Sequence, residues 1–195
     1  MPFSSSASDD DPFVSPDGGW LYFVSARPDR DIWRYRLDGS QRLERLAINS
    51  SAAEYSPVVV MSGALFFASA RSGGTGQGDI YRAAPAGGAF ADPVALGPEV
   101  NSRHGEWNLW VSPDETVLIF EASGRPGNVS TPGDLYYSLR GEAGWSPALP
   151  LSELNTSGSD LLPRMHPDGK TLFYTSAPIG GNAHVKRVRL RLNNR

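Results

Sequence analysis

Four short runs of mainly apolar residues recur along the chain, and turn-forming residues bound each of them. The runs cover residues 20–24, 64–68, 116–120 and 171–175. Their cores, such as Leu-Tyr-Phe and Leu-Phe-Phe, are continuously apolar rather than alternating, which predicts strands that are covered on both faces. Because proline or glycine interrupts every window long enough for a helix, we predict an all-β chain.

Each apolar run belongs to a longer unit that begins at an acidic residue. We predict four strands in a unit: strand a from the acidic residue to a Pro-Asp turn, strand b in the apolar run, strand c at an Asp-aliphatic-aromatic triplet, and a short strand d. The fourth unit lacks the triplet and a recognisable strand d. The units span approximately residues 9–53, 54–105, 106–159 and 160–195. Strand d is expected near residues 43–48, 93–96 and 147–151.

Four-stranded units of this length are typical of the blades of a β-propeller. The predicted fold is therefore a single β-propeller domain of four consecutive four-stranded antiparallel blades. A β-sandwich is the alternative, but one face of each of its sheets is wet, so its strands should alternate more clearly. We expect a partial ring or a fragment of a larger propeller, because residues 1–8 are a poor closing strand. A small closed ring is the alternative.

Several motifs recur in the same order in these units: Ser-Pro-Asp-Gly, Leu-x-Phe-x-Ser and Asp-Ile-Tyr. Together they resemble the Pro-Asp variety of WD-like propeller repeat found in the C-terminal domain of TolB and in TolB-like bacterial proteins. The resemblance extends from about residue 4 to about residue 192. It departs from the pattern at Met61 and Ser62, which replace Pro-Asp in the second unit, and at the missing triplet of the fourth.

The resemblance implies protein–protein contact through one propeller face, in the periplasm or cell envelope, although no signal peptide is visible. The composition also bears on which classes of partner are expected. A formal net charge of −3 argues against nucleic acid as the main partner. No apolar run approaches roughly 18 residues, so we predict no membrane insertion. Open blade edges would favour self-association.

The residues offer no recognisable catalytic group or metal site. The chain has no cysteine, which removes thiolate metal sites and a cysteine nucleophile. None of the three histidines has a metal-ligand partner at the usual spacing, and the glycine-rich loops lack the phosphate-binding motif. We therefore predict no metal, no cofactor and no catalytic residue within this chain.

The candidate binding residues lie where strands a and b meet one face of the propeller. The four acidic residues each have two interpretations: they accept hydrogen bonds that hold a blade in place, or they form an acidic ring that binds a cation or a basic peptide. The arginines after strand b form ion pairs with carboxylates or contact a ligand. The candidate residues are Asp9, Glu54, Glu106, Asp160, Arg71, Arg125, His104 and Trp107.

The leading hypothesis is a non-catalytic binding or scaffold module that contacts a protein or peptide through the loops between strands b and c. The alternative is the propeller domain of a hydrolase, such as a prolyl-oligopeptidase-type peptidase, or of another propeller enzyme whose catalytic part lies outside this chain. A degenerate propeller without an independent role is a third hypothesis, and it predicts self-association.

Overall fold

The computed structural model describes residues 4–130 and 132–190, and strands are the only regular elements in these two ranges. The prediction of an all-β chain without helices is therefore confirmed for the described residues. None of these residues belongs to a helix of the length and hydropathy that crossing a membrane requires.

Four antiparallel sheets follow one another along the chain, one for each predicted unit. The first consists of β1 (Asp9–Val14), β2 (Trp20–Ser25), β3 (Asp31–Arg36) and β4 (Leu43–Arg45). The second consists of β5 (Glu54–Val59), β6 (Leu65–Ser69), β7 (Asp79–Ala83) and β10 (Val94–Ala95), with a separate hairpin of β8 (Pro85–Ala86) and β9 (Ala89–Phe90).

The third and fourth sheets differ in size. The third consists of β11 (Gly105–Val111), β12 (Val117–Ser123) and β13 (Asp134–Gly141), and both β14 (Gly144–Trp145) and β15 (Leu149–Pro150) pair with β13. The fourth consists of β16 (Ser159–Met165), β17 (Thr171–Ala177) and β18 (His184–Arg189). The sheets are four consecutive antiparallel blades of a β-propeller, as predicted.

The outermost strands are shorter than the sequence suggests. Each of β4, β10 and β15 has two or three residues, whereas four to six were expected. The β8–β9 hairpin and β14 were not predicted. In the fourth sheet the described residues contain no fourth strand, and the predicted unit 160–195 extends beyond the last of them.

The apolar runs form the second strand of each blade and are buried as expected. All five residues of β6 are buried, because the strand is covered on both faces. Burying a side chain such as Phe66 or Phe67 contributes about 1.5 to 3 kcal/mol. In β17 buried and partly exposed residues alternate, so the fourth blade is covered less completely.

A recurring backbone hydrogen bond joins each of the second, third and fourth blades to the blade before it. The N–H of the acidic residue donates to the carbonyl that directly precedes the aspartate of strand c in the preceding blade. These bonds run from Glu54 to Arg30 at 2.8 Å, from Glu106 to Gly78 at 2.9 Å, and from Asp160 to Gly133 at 2.9 Å. The innermost strands β1, β5, β11 and β16 are thereby brought side by side.

Every innermost strand contains a β-bulge, which the sequence pattern did not predict. The residue two positions after the acidic residue has a positive φ, and a bulge turns such a residue away from regular pairing. These residues are Asp11 (51°), Ser56 (47°), Asn108 (36°) and Leu162 (55°). Aspartate and asparagine tolerate this conformation better than most residues, so the strain is greatest at Leu162.

The strand register corrects one sequence alignment. By sequence motif, the serines that close the four apolar runs are Ser25, Ser69, Ser123 and Ser176, and they should occupy equivalent positions. In the third blade Glu106 instead pairs with Ala122, and Ser123 lies one residue beyond it. The one-residue shift moves the neighbouring Glu121 into the position of Val24, Ala68 and Thr175.

A recurring arrangement of asparagines closes three of the blades. The side-chain carbonyl of Asn101 accepts the N–H of Ile80 at 2.9 Å, and its amide group donates to the carbonyls of Ile80 and Leu96. Asn49 and Asn155 make the corresponding pairs of bonds with Ile32 and Leu135. Each asparagine follows the short strand d of its blade. Its side chain therefore holds the chain against strand c beyond the end of strand d.

Candidate functional site

One carboxylate oxygen of the acidic residue in the second blade accepts several hydrogen bonds from its own chain. Glu54 is fully buried, and its Oε1 accepts the N–H and hydroxyl of Ser50, the hydroxyl of Ser69 at 3.0 Å and Arg71 Nη2 at 3.1 Å. The same Arg71 nitrogen donates to the carbonyl of Ile48 at 3.0 Å. This arrangement holds the incoming chain, strand a and the end of strand b together.

The first and third blades repeat the arrangement. Arg27 Nη2 lies 3.0 Å from Asp9 Oδ1, and Arg125 Nη1 lies 3.3 Å from Glu106 Oε1. Burial raises the pKa of Asp9, but hydrogen bonds from Ser25, Ser5 and Arg27 outweigh it and the net shift is downward. Burial raises the pKa of Glu106, and its bonds to Ser102 and the charge of Arg125 offset this in part.

The fourth blade has the carboxylate without the arginine. Asp160 is fully buried, and its Oδ2 accepts the N–H and hydroxyl of Thr156 at 2.6 and 2.9 Å. Pro178 stands at the position of the arginine. Three carboxylate oxygens, Asp160 Oδ1, Glu54 Oε2 and Asp79 Oδ1, are buried without a hydrogen-bond partner among the described residues.

His104 belongs to the loop that leads into β11 rather than to a pocket. Its carbonyl accepts the N–H of Gln77 in the second blade at 2.8 Å, and its Nε2 accepts a bond from Arg103 at 3.3 Å. A Cβ added at Gly124 would lie 3.1 Å from the imidazole Nδ1. His104 therefore joins two loops on the face where strands b and c connect.

Trp107 is the candidate residue that lies at a cavity. The cavity has a volume of about 170 Å³ and lies beside the innermost strands β5 and β11, where the second and third blades meet near the central axis. Four side chains line it, and together they are called the channel pocket: Tyr55, Trp107, Asn108 and Glu121. The rings of Tyr55 and Trp107 meet edge to face, with centroids 5.2 Å apart, and form an aromatic wall.

Two glycines allow the indole of Trp107 to occupy this position. A Cβ at Gly78 would lie 2.1 Å from the Cη2 atom of Trp107, and one at Gly105 would lie 2.4 Å from its Nε1. Any side chain at either position would therefore displace the ring. Gly78 precedes strand c of the second blade and Gly105 begins β11, so the backbones of two blades fix the orientation of the indole.

A polar chain crosses the bulges of three blades and ends at Glu121. Ser56 donates its N–H to Asp11 Oδ2 at 3.0 Å and its hydroxyl to Asn108 Oδ1 at 3.0 Å. The amide group of Asn108 then donates to Glu121 Oε2. Each of these residues except Glu121 has a positive φ, so the bulges aim their side chains along the channel.

Glu121 is a buried carboxyl group without a cation beside it. Its side chain is 7% exposed, and burial raises its pKa to about 7. The hydrogen bond from Asn108 opposes this shift, and the charge of Asp11 adds to it. The described lysines and arginines form no ion pair with Glu121. At neutral pH the pocket therefore holds a carboxyl group that is partly protonated.

One of the four pocket residues was predicted from the sequence. Trp107 is among the candidate binding residues, but Tyr55, Asn108 and Glu121 are not. A signal for Glu121 was available, because it is the one charged residue in the b strands of the four blades. Tyr55 and Asn108 carry no such signal, since their roles depend on the bulges. No group of three or more His, Asp or Glu among the described residues is placed to hold a metal ion.

The chain has the fold of a TolB-like propeller. It superimposes on TolB from Acinetobacter baumannii with a TM-score of 0.69 and 17% identity, over 96% of this chain and 42% of that one. A puromycin-hydrolysing peptidase of Mycobacterium tuberculosis gives a TM-score of 0.57 with 16% identity, over 96% and 36%. A prolyl endopeptidase gives 0.58 with 15% identity, over 97% and 26%.

These likenesses concern the fold alone, since the identities are low. The chain spans less than half the length of each of these three proteins. No protein-family model and no curated protein matches the sequence. The function therefore has to be argued from the residues of the site.

Proposed function

We propose that this chain is a non-catalytic binding module that contacts a protein or peptide through the face carrying the b–c loops and the channel pocket. The observation that supports this is a break in the repeat. The acidic residues, arginines and asparagines recur from blade to blade and bind their own chain. The channel pocket occurs where the third blade departs from the repeat, and its aromatic wall is partly exposed.

The b–c loops are the second support for this face. They run from residue 70 to residue 78 in the second blade and from residue 124 to residue 133 in the third, and they differ in length and sequence. Variable loops on a rigid repeat scaffold are the usual binding surface of such folds. We infer further that the partner is a protein of the bacterial cell envelope, as the resemblance to TolB repeats implies.

Site-specific photo-crosslinking tests the proposal. A photo-reactive amino acid at Thr75, in the exposed b–c loop of the second blade, should give discrete adducts in an envelope extract. The same amino acid at Lys170, in the exposed a–b turn of the fourth blade, is the matched control on the opposite face and should give none. The Thr75 adducts should disappear when Trp107→Ala opens the aromatic wall. Equal adducts from both positions, or none from either, would contradict the proposal.

The propeller domain of a hydrolase is the second candidate, and the likeness to the two peptidase structures supports it. Under this hypothesis the chain supplies no catalytic group, and hydrolysis requires a domain encoded in the same reading frame. Sequencing the DNA on both sides of the coding region decides between the two functions. A hydrolase domain in frame would favour this candidate over the binding module.

A further inference from the structure

The indole of Trp107 in the channel pocket lacks a cationic partner that three other tryptophans of the described residues have. Arginine guanidinium groups lie over Trp20, Trp33 and Trp145, with centroid distances between 4.2 and 5.8 Å. Among the described residues no arginine or lysine lies over Trp107. Its ring packs against the backbones of Gly78 and Gly105, meets Tyr55 edge to face and lines the cavity. The negative face of an indole attracts a cation, and the described residues supply none to this ring.

The charges around the pocket also favour a positively charged ligand. Glu121 Oε2 accepts one bond from Asn108, and Oε1 accepts none from the described residues. The nearby charged group that affects Glu121 is Asp11, which is also an acid. Arg164 on β16 donates to the carbonyls of Leu109 and Pro163 and interacts with Asp11 rather than with Glu121.

The remaining arginine near the wall is already paired. Arg30 lies over the ring of Tyr55 at 4.7 Å, and its Nη1 lies 3.0 Å from Asp10 Oδ2. It shows that this wall accommodates a guanidinium group in the chain itself, and its own ion pair keeps it from neutralising Glu121. The pocket therefore combines a buried carboxyl group with an aromatic wall, and the arginine on that wall is paired with Asp10 rather than with Glu121.

We propose that the channel pocket binds an organic cation, the ammonium or guanidinium group of a basic side chain presented by the partner. The inference rests on the proposed function and names the chemistry that its binding site recognises. A volume of about 170 Å³ accommodates one such group and not a folded segment. An inorganic cation fits less well, because hard cations need six or more oxygen ligands and the pocket offers one carboxyl and one amide group.

The ligand and the proton compete for Glu121. A cation binds the carboxylate more tightly than the carboxyl group, and the pKa of Glu121 in the free chain is about 7. Affinity should therefore increase as the pH rises from 6 to 8, and binding should release a proton. The groups that face Glu121 from the packed elements are Asp11, Asn108 and, beyond Asp11, Arg164.

Titration of the intact chain with small probes tests the inference. The probes are N-acetyl-arginine amide and N-acetyl-lysine amide, and the neutral N-acetyl-norleucine amide is the matched control. Binding is followed by tryptophan fluorescence and by the carbon NMR signal of the Glu121 carboxyl group. Both cationic probes should bind saturably, shift that signal and bind about tenfold more tightly than the neutral probe, which corresponds to about 1.4 kcal/mol.

Two substitutions connect the binding to the pocket. Glu121→Gln keeps the shape of the side chain and should weaken the cationic probes about tenfold while removing the dependence on pH. Trp107→Phe should weaken them by a smaller factor, because phenylalanine attracts a cation less than tryptophan does. Glu142→Gln removes the same charge from an exposed turn and should change nothing. Equal binding of the neutral probe, or of the cationic probes to the Glu121→Gln chain, would overturn the inference.

The small probes need no protein partner, so this experiment tests the cation chemistry independently of the photo-crosslinking experiment. If adducts form at Thr75 but the cationic probes do not bind, the binding face stands and the cation chemistry is wrong. If the probes bind at Glu121 but no adduct forms at Thr75, the pocket stands and the proposed protein partner is wrong.

Discussion

Glu54 and Glu121 are buried glutamates in neighbouring blades, but Glu54 has a cationic partner among the described residues and Glu121 has none. Four donors converge on Glu54 Oε1, and one of them is the guanidinium group of Arg71. Glu121 receives one amide hydrogen bond and no cation. Glu54 occupies a position that is acidic in every blade, whereas Glu121 stands where the other blades have Val24, Ala68 and Thr175.

The difference separates what the repeat requires from what this chain adds to it. A carboxylate that recurs in each blade and is satisfied by its own chain fixes the position of the blade. A carboxyl group that occurs once, beside a cavity and without a counterion, makes the folded chain less stable when it ionises. A destabilising group of this kind is typical of a binding site, where a ligand supplies the missing interaction.

The largest effect is expected from removing the satisfied carboxylate. Glu54→Ala leaves the guanidinium group of Arg71 largely buried without its counterion, which should lower the free energy of unfolding by about 3 to 5 kcal/mol. Urea denaturation measures the change. Glu142→Ala, in an exposed turn, is the control and should stay within about 0.5 kcal/mol of the parent chain. A loss below about 1 kcal/mol for Glu54→Ala would show that the pair does not hold the blade.

The unpaired carboxyl group should have the reverse effect, and only at higher pH. Its pKa rises from the ordinary glutamate value of 4.5 to about 7 in the folded chain, so the folded state binds more protons between these values. Stability is therefore lost as the pH rises through this window, by up to about 3 kcal/mol above pH 7. Glu121→Gln should abolish that loss and make little difference at pH 4.

Urea denaturation of both chains at several pH values measures this prediction. The difference in free energy of unfolding between the Glu121→Gln variant and the parent should grow from pH 4 to pH 8. If the free energies of unfolding of the two chains change in parallel with pH, folding does not raise the pKa of Glu121. The contrast with Glu54 would then fail.

The smallest effect is expected in the fourth blade, which has the acidic residue without the arginine. Asp160→Asn retains an oxygen for the hydrogen bonds from Thr156 and leaves no cation unpaired. It should lower the free energy of unfolding by about 1 kcal/mol, because a neutral amide oxygen accepts these hydrogen bonds less strongly than a carboxylate does. A loss as large as that for Glu54→Ala would show that the carboxylate stabilises a blade even where no arginine binds it.

Much of the fold could be predicted from local patterns. The Pro-Asp turn, the continuously apolar strand and the acidic residue lie within about twenty residues of one another, and each has a local physical cause. Their recurrence predicts blades, because a unit that cannot bury both faces alone must stack on a copy of itself. The outer strands were predicted at the correct positions, but the predicted ranges were too long. β4, β10 and β15 are short because the asparagine side chain replaces further pairing with strand c.

The candidate site was harder to predict, for reasons visible in particular residues. The bulge at Asn108 interrupts the regular alternation of side chains along strand a. The hydrophobic pattern of the sequence does not indicate this interruption. The single-residue shift at Ala122 places Glu121 opposite Trp107, and an alignment of sequence motifs sets it one residue away. Tyr55 lies about fifty residues before Trp107, so their contact depends on how two blades pack.

The amino-acid sequence by itself determined the class of fold, the number of blades, the buried second strands and the positions of the acidic residues and arginines. These follow from hydrophobic burial and turn chemistry, which act over short stretches of chain. Only the tertiary structure decided which carboxyl group is satisfied and which is not. That depends on bulges, register and the approach of Gly78 and Gly105 to Trp107, because a counterion or an aromatic wall is supplied by residues that are distant along the chain.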